Sequence, residues 1–335
     1  MPLYSLGSNS SHQLSLQHTK DVSFPSRTTF TLSPDDFPTK IVAGANHTLL
    51  LTNKGSLYAT GANRYGQCLT APCDFVIGFR KVAENCRDCA ATWEGSVVVR
   101  RDRTVWSFGN IKNHANLQGV EWDSPQDCLE TVNEIEEGPH VVAGVQHFVL
   151  FDSGKAVGYG DGKKGQFGGT LTDSISTNAK GAQLPVSDIA QIACGKDFTT
   201  LLTNAGELKV FTSNGKYHLT SIPPLNNIKQ ITASWSTIAV LDHSGRVNSW
   251  GRSDRGQFPP ANLPRLAHIA GGSEHFLGLS QDGQVFAWGW NEHGNCGTED
   301  RNDVRSVHAI PVPAEEKASY IGAGCGTSWI WTERG

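Results

Sequence analysis

The sequence predicts an all-β fold, a seven-bladed β-propeller whose last blade is closed by strands from the N- and C-termini. Three observations lead to this prediction. The composition is rich in turn residues and large aromatics, one motif recurs along the 335-residue chain, and half-copies of that motif stand at the two ends. We therefore predict a single propeller domain that spans residues 1–335.

The composition favours many short strands. The chain has 36 glycines, 15 prolines and 9 tryptophans, and only 18% of its residues are charged. Glycine and proline mark turns, and large aromatics favour strands. The 28 basic and 32 acidic residues are interspersed and give a formal net charge of −4. Because no basic stripe is available to neutralise phosphates, we expect no direct nucleic-acid partner.

The start of the chain and the cysteine content predict an intracellular protein. The first residues, MPLYSLGSNS, have neither the basic start nor the apolar run of a signal peptide. No stretch approaches 18 uninterrupted apolar residues, so we expect no membrane association. Eight cysteines are too few for a disulfide scaffold in a chain of this length and fit a reducing compartment.

One motif recurs along the chain and defines the blades. Each copy has a small residue at a reference position and a second, closing position 16 or 17 residues later. The reference positions are Gly44, Thr92, Gly144, Gly195, Ser234 and Gly272, and the closing positions are Gly61, Gly109, Gly160, Thr212, Gly251 and Gly289. Successive copies are 38 to 52 residues apart, which fits a blade of four short antiparallel strands and a variable loop.

A seventh copy is split between the two chain ends. The C-terminus supplies the first half, IGAGCGTSWIWTE from Ile321, and the N-terminus supplies the second half, LYSLGSNSSHQL from Leu3. A blade built from both halves would pair edge strands that otherwise stay open to aggregation. The split copy therefore predicts the closure of the ring.

The residues of one copy show how a blade is built. Alternating apolar residues at 47–52 predict a buried strand, Asn53-Lys54-Gly55 a hairpin turn with positive φ at the glycine, and residues 56–59 the returning strand. At the reference position we expect a small residue because the strands converge on the central axis, where a Cβ would collide with the neighbouring blade.

The chain resembles the regulator-of-chromosome-condensation repeat family over nearly its whole length. The resemblance lies in the combination of a GxxHxxxL strand, a hairpin and a closing GxNxxGQ segment. Within the family, the chain is similar to its fungal α-tubulin suppressor branch. This likeness is carried by GSEHF from Gly272, WGWNEHGNCG from Trp288, GKDF from Gly195 and GCGTSWI from Gly324. Thr92, Ser234 and the weak segment after Thr212 depart from the pattern, which leaves the shape of the second, fourth and fifth blades open.

We expect no catalytic activity, because the sequence has no set of nucleophile, base and carboxylate that the repeat does not already explain. The resemblance implies a binding protein with no cofactor of its own. It implies a heterodimer with a small cysteine-rich metal-binding protein of diphthamide biosynthesis, an electron donor that carries iron or zinc. The pair would support Elongator-dependent modification of the transfer-RNA wobble uridine, with the Elongator complex as a further partner, and diphthamide synthesis on elongation factor two. The expected location is the cytoplasm, with the nucleus as a second compartment.

Three patterns resemble nucleotide-binding or metal-binding motifs but are explained more simply by the repeat. Residues 160–165 match GxGxxG, but the same slot recurs in other copies and no helix follows it, so nucleotide binding is disfavoured. Recurring histidines, His47, His147 and His275, are expected to be buried and bonded to a backbone carbonyl of a neighbouring strand. Cys68, Cys73, Cys86 and Cys89 have zinc-like spacing, yet we expect no metal site, because cysteine also drifts into other small repeat positions.

Tryptophans in the loops indicate a binding surface. Trp93 and Trp235 follow the reference position by one residue, and Trp290 lies in a closing loop, so all three are predicted on one face of the ring. We predict that this face docks the partner. Its predicted contact residues are Asn46, Trp93, Glu94, Gln146, Lys196, Asp197, Trp235, Ser236, Glu274, Trp290, His293 and Gly326.

Two alternative functions remain open. The first is guanine nucleotide exchange on a small GTPase, which founding members of the family resemble, although no clear acidic wedge insertion is present. The second is a tryptophan-based ultraviolet-B photoreceptor, although Glu94 and Ser236 stand where that pattern would continue after the tryptophans. Residues 110–140, which include Trp122 and several acidic residues, are a candidate second contact.

Overall fold

The strands of the protein form seven antiparallel sheets. The computed structural model describes residues 1–111, 140–152, 154–169, 181–213 and 215–334. The strands begin with β1 (Leu3–Gly7), β2 (Val22–Arg27), β3 (Pro38–Ala43), β4 (His47–Thr52), β5 (Leu57–Asn63), β6 (Cys73–Ala83), β7 (Cys86–Ala91), β8 (Glu94–Arg100) and β9 (Val105–Asn110). They continue with β10 (His140–Ala143), β11 (His147–Phe151), β12 (Ala156–Gly160), β13 (Ala182–Gln183), β14 (Ile189–Cys194), β15 (Thr199–Thr203), β16 (Leu208–Phe211), a 3-10 turn (Gly215–Tyr217), β17 (Ile228–Ala233), β18 (Thr237–Asp242) and β19 (Val247–Gly251). The last are β20 (Leu266–Gly271), β21 (His275–Ser280), β22 (Val285–Gly289), β23 (Val304–Ile310), β24 (Glu316–Ala323) and β25 (Thr327–Arg334).

Each sheet is one blade, and the blades close into a ring. Blades one to six are β3-β4-β5-β6, β7-β8-β9, β10-β11-β12-β13, β14-β15-β16, β17-β18-β19 and β20-β21-β22-β23, and blade seven is β24-β25-β1-β2. The first strands of the blades touch one another in circular order, from β24 through β3, β7, β10, β14, β17 and β20 back to β24. The predicted seven-bladed propeller is therefore confirmed.

Blade seven is shared by the two chain ends, as the split motif predicts. Strand β1 lies between β2 and β25, in a register that runs from Leu3 opposite Trp331 to Gly7 opposite Thr327. The N–H of Thr332 also donates to the carbonyl of Pro2 at 3.1 Å. Backbone hydrogen bonds along a whole strand therefore hold the ring shut.

Blades two, four and five have three strands among the described residues instead of the four expected for each blade. In blade four the chain turns after β16, and Leu219 packs into the apolar cluster that also contains Ile231. In blade five the segment after β19 contains Pro259, Pro260 and Pro264, which lack the N–H needed to pair with a sheet edge. The corresponding part of blade two falls at 112–139, outside the described residues.

The apolar core is divided among the blade interfaces. The described residues form seven buried clusters, and each joins side chains from two neighbouring sheets. At the interface of blades seven and one, for example, Trp329 and Trp331 pack with Ile41 and Leu50. Within the described residues, no helix has the length and apolar character required to cross a bilayer.

The reference position lies against the next blade, as predicted. A Cβ built on Gly44 would come within 2.3 Å of the carbonyl oxygen of Thr92, and one on Gly144 within 2.1 Å of that of Gly195. A position four residues earlier supplies polar side chains that bond the backbone N–H of the following blade. The pairs are Asp88 with Val141, Gln191 with Ile231, Gln230 with Ile269 and Tyr320 with Ile41.

The recurring histidines are buried as predicted, and each ring is hydrogen-bonded by the backbone of the next blade, at Gly95, Phe198 and Thr327. Each ring also contacts a side-chain hydroxyl, which was not predicted. Nε2 of His47 lies 2.9 Å from Oγ of Ser96, and Nε2 of His275 lies 3.0 Å from Oγ of Ser328. His147 makes the same contact with Oγ1 of Thr199 at 3.2 Å. Each hydroxyl belongs to the second strand of the next blade, so the side chains bridge blades. Burial lowers the pKa of each of the three histidines to about 4.

Candidate partner-binding face

The loops after the reference and closing positions lie together at one end of the ring, which we call the loop face. In five blades, the backbone N–H one residue past the closing position donates to the carbonyl two residues past the reference. These pairs are Ala62 with Asn46, Asp161 with Gln146, Arg252 with Ser236, Trp290 with Glu274 and Ser8 with Gly326. The closing residue Gly289 has φ +105°, and a Cβ there would come within 2.6 Å of the Glu274 carbonyl. This contact explains why the closing position follows the reference position by 16 or 17 residues.

Six of the predicted contact residues line one cavity of about 490 Å³ between blades four, five and six. These six are Lys196, Asp197, Trp235, Ser236, Glu274 and Trp290. The rest of the lining was not predicted and consists of Phe198, Thr212, Tyr217, Leu219, Arg252, Arg255, Ser273 and Glu292. The cavity therefore combines aromatic walls with charged side chains on the loop face.

Trp93 and Trp235 meet across the centre of the loop face although they belong to blades two and five. Their ring centroids are 5.5 Å apart, with an interplanar angle of 53°. Their backbones are fixed by bonds to the next blade, from Trp93 N to the Val145 carbonyl at 2.8 Å and from Trp235 N to the Ser273 carbonyl at 2.7 Å. Trp93 is 40% exposed and Trp235 half-buried. Both also line the channel cavity of about 230 Å³ between the first strands.

Glu274 is the polar centre of the larger cavity. Its carboxylate accepts hydrogen bonds from Oγ of Ser236 at 2.7 and 2.8 Å, and from Nε2 of Gln257 at 2.9 Å. Arg252 lies 3.5 Å away and also pairs with Asp254. The hydrogen bond to Asp254, followed by the nearby charge of Glu274, raises the pKa of Arg252. The charge of Glu274 is thus balanced within the protein.

Comparison with known proteins places this architecture in a family. Profiles of the regulator of chromosome condensation (RCC1) repeat match residues 39–67 and 267–295, and also residues 2–51 and 282–329. An RCC1 repeat-containing protein of Schizosaccharomyces pombe is 33% identical over 99% of each chain. The chain belongs to the RCC1 repeat family.

Two further proteins match the chain at lower identity. The bovine secretion-regulating guanine nucleotide exchange factor is 25% identical over 97% of this chain and 82% of its own length. Among solved structures, Prp20p from Saccharomyces cerevisiae has a TM-score of 0.85 at 17% identity, covering 99% of this chain and 91% of that one. At this identity the structural similarity supports the fold alone.

His293 and Gly326 lie where the loops of blades six and seven of the RCC1-repeat ring meet. Nδ1 of His293 is 2.8 Å from Oδ2 of Asp21, and its ring contacts Trp290 edge-on at 5.3 Å between centroids. Nε1 of Trp290 donates to Glu292 at 3.2 Å. Gly326 is buried and has φ +62°, so it contributes backbone to this region.

The remaining predicted residues lie in blades one to three and do not line the larger cavity. The exposed Asn46 accepts a hydrogen bond from Gln13 at 3.4 Å, and Glu94 accepts one from Asn110 at 2.9 Å. Gln146 is half-buried. The predicted second contact at 110–140 lies almost wholly outside the described residues.

The unpredicted cavity residues differ in how well the RCC1 repeat could have indicated them. Arg252 directly follows the closing glycine Gly251, so the repeat register alone places it on the loop face. Tyr217 and Leu219 belong to the segment that replaces a fourth strand in blade four, and no repeat position corresponds to them.

The four cysteines with zinc-like spacing do not form a common site in the structure. Cys68, Cys86 and Cys89 are buried in the apolar cluster between blades one and two, whereas Cys73 is exposed. Burial raises the pKa of the Cys86 thiol to about 11. No group of three or more His, Cys, Asp and Glu residues suited to a metal ion occurs among the residues that the structure describes.

Proposed function

We propose that the loop face of this RCC1-repeat propeller docks a small, cysteine-rich, metal-binding protein of diphthamide biosynthesis, and that the propeller acts as a binding partner without catalysis. The observation that carries the proposal is the convergence of Trp235, Trp290, Lys196 and Glu274 on one open cavity. Protein interfaces are dominated by a few aromatic and arginine anchors at a desolvated centre. The cavity offers both kinds of residue.

The charge distribution supports a protein partner. Arg252 and Glu274 neutralise each other in part, and Ser236 and Gln257 satisfy the carboxylate. An incoming surface therefore does not have to compensate an isolated buried charge, which would oppose binding. Aromatic burial would supply most of the affinity, while Lys196 and other exposed charges would set orientation.

The biological role of the complex is proposed from the resemblance to the fungal branch of the family. In this proposal the partner carries the iron or zinc and delivers electrons, and the propeller stabilises and regulates it. The complex would support Elongator-dependent wobble-uridine modification and diphthamide synthesis in the cytoplasm, and it would also reach the nucleus. The S. pombe relative supports the family assignment that underlies this proposal.

Calorimetric titration of the purified metal-binding protein tests the interface. We expect Trp235→Ala to weaken binding by about 2 to 4 kcal/mol, the usual cost of removing a central aromatic anchor. The matched control is Phe24→Ala, because Phe24 is a 48% exposed aromatic on β2 that does not line the cavity. Unchanged affinity for both Trp235→Ala and Trp93→Ala would exclude this face.

Guanine nucleotide exchange on a small GTPase is the second candidate. It is favoured by the 25% identity to the bovine secretion-regulating exchange factor over nearly the whole chain. Release of a labelled guanine nucleotide from a panel of small GTPases distinguishes the two proposals. Catalysed release with no binding of the metal protein would favour exchange activity.

A photoreceptor function is the third candidate, because Trp93 and Trp235 form a close aromatic pair. The Ultraviolet-B receptor UVR8 of Arabidopsis thaliana is 27% identical over 55% of this chain and 48% of its own length. Size-exclusion chromatography before and after ultraviolet-B illumination tests this function. A light-dependent change in molecular size would support it.

A further inference from the structure

An arginine occupies a glycine position in one hairpin at the end of the ring opposite the loop face. The hairpins between the second and third strands of blades one, four, five and six have glycine at the same turn position. These are Gly55, Gly206, Gly245 and Gly283, with φ between +81° and +84°. Blade two has Arg103 there, with φ +73°. A residue with a Cβ is disfavoured in this left-handed conformation, so the arginine needs another explanation.

Three more arginines surround this turn. Arg100 ends β8, Arg101 follows it, and Arg87 lies at the bulge of β7 next to the point where Cys86 pairs with Arg100. Among the residues that the structure describes, no carboxylate lies within ion-pair distance of any of these four arginines. The hairpin end of blade two therefore carries four arginines against one nearby carboxylate, Asp102, whose pKa is lowered, despite partial burial, mainly by its hydrogen bonds to Thr104 and also by the charge of Arg100.

These arginines differ in exposure: Arg87 and Arg101 are exposed, whereas Arg103 is half-buried. Nη2 of Arg103 is buried and has no hydrogen-bond partner among the described residues. Arg100 lies over the ring of Trp106, 4.8 Å from its centroid, and Arg101 donates to the Asn53 carbonyl at 3.2 Å. The carboxylate in the turn, Asp102, accepts bonds from the backbone and hydroxyl of Thr104. A stacked or backbone-anchored guanidinium is well placed for a second, carboxylate partner.

We propose that this cluster of Arg87, Arg100, Arg101 and Arg103 is a binding site for a carboxylate-rich peptide segment of a partner protein. Backbone strain at a residue whose side chain is unpaired is a feature of binding sites. A peptide is favoured over nucleic acid because the chain has net charge −4 and a long polyanion would meet repulsion beyond the cluster. The site is separate from the loop face and does not depend on the function proposed for it.

Binding of a synthetic acidic peptide to the full chain tests the proposal. The probe is a fluorescent eight-residue Glu-rich peptide, and its Gln counterpart is the control ligand. We expect the acidic probe to bind with an affinity that falls as salt rises, and the Gln peptide not to bind. We expect Arg103→Gly to weaken the affinity for the acidic probe by about fivefold, which corresponds to the loss of one ion pair.

The Arg103→Gly variant separates binding from folding. Glycine relieves the left-handed conformation, so its thermal midpoint should equal or exceed that of the unmodified chain. Arg246→Gln is the matched control, because Arg246 is an exposed arginine beside the hairpin glycine of blade five, and it should leave probe affinity unchanged. Equal probe affinity for Arg103→Gly and the unmodified chain would overturn the proposal.

Two other outcomes would also overturn it. Residues 121–137 of this chain carry seven carboxylates and no basic residue. If the probe binds only after these carboxylates are replaced by amides, the occupant is this chain and not a partner. If a single-stranded RNA displaces the probe in an Arg103-dependent manner and binds more tightly, the ligand is a nucleic acid.

Discussion

Acidification should destabilise the propeller well above the pH at which its carboxylates titrate. The pKa values of His47, His147 and His275 are lowered by burial from 6.5 to about 4 in the folded chain. The unfolded chain therefore binds protons that the folded chain does not, and stability falls as pH decreases from 6.5 towards 4. Between neutral pH and pH 5, each histidine lowers the free energy of unfolding by about 2 kcal/mol. The three histidines together lower it by about 6 kcal/mol.

The hydrogen-bond geometry also specifies the protonated nitrogen. Oγ of Ser96 donates to the Gln67 carbonyl at 2.7 Å, so it accepts from Nε2–H of His47. Oγ of Ser328 similarly donates to the Asn295 carbonyl and accepts from His275. This geometry places a proton on Nε2 of His47 and of His275, and burial keeps both imidazoles neutral.

Urea unfolding at pH 7.5, 6 and 5 measures the decrease in unfolding free energy on acidification. Nitrogen chemical shifts of the imidazoles report the tautomer. His275→Gln should reduce the loss between pH 7.5 and 5 by about 2 kcal/mol, because one titrating group is removed. Asp88, whose pKa is held at about 2 against its burial by Lys40 and His140, contributes only at lower pH. Equal stability at pH 7.5 and 5, or buried imidazoles that protonate near pH 6.5, would refute the reasoning.

Two further predictions concern ring closure and blade contact. The N–H of Ile41 in the first blade donates to the hydroxyl of Tyr320 in the last blade at 2.9 Å. Tyr320→Phe removes this acceptor and should lower the free energy of unfolding, measured in urea, by about 1 to 3 kcal/mol. An unchanged midpoint would show that this bond does not hold the ring. Gly144→Ala places a Cβ 2.1 Å from the Gly195 carbonyl oxygen and should lower the free energy of unfolding by about 3 kcal/mol. The control is Gly169→Ala, whose Cβ has no atom within 4 Å and which should change stability by less than about 1 kcal/mol. Similar losses in both variants would contradict the proposed steric role.

The repeat register explains which parts of the fold could be predicted. Gly44 and Gly61 are fixed by contacts that recur in every regular blade, so their spacing is visible in the sequence. The shared blade seven follows from the same register. The three-stranded blades four and five were not predicted, because the segments that replace their fourth strands have no repeat counterpart.

The candidate site was predictable only in part, because contacts across the ring leave no local signal. Lys196, Trp235 and Glu274 occupy corresponding loops of three blades, and the register places them on one face. The pairing of Trp93 with Trp235 joins blades two and five, and nothing near either tryptophan in sequence indicates it. The hydroxyl partners of the histidines were missed for the same reason, since they belong to the next blade.

Hydrogen–deuterium exchange on the propeller, with and without the metal-binding partner, most directly tests the role of the loop face. The account predicts slower exchange in the loops around Lys196, Trp235 and Trp290 when the partner is bound, with unchanged exchange in the hairpins at Gly55 and Gly206. Protection confined to those hairpins, or no protection at a saturating concentration of partner, would contradict docking at the loop face.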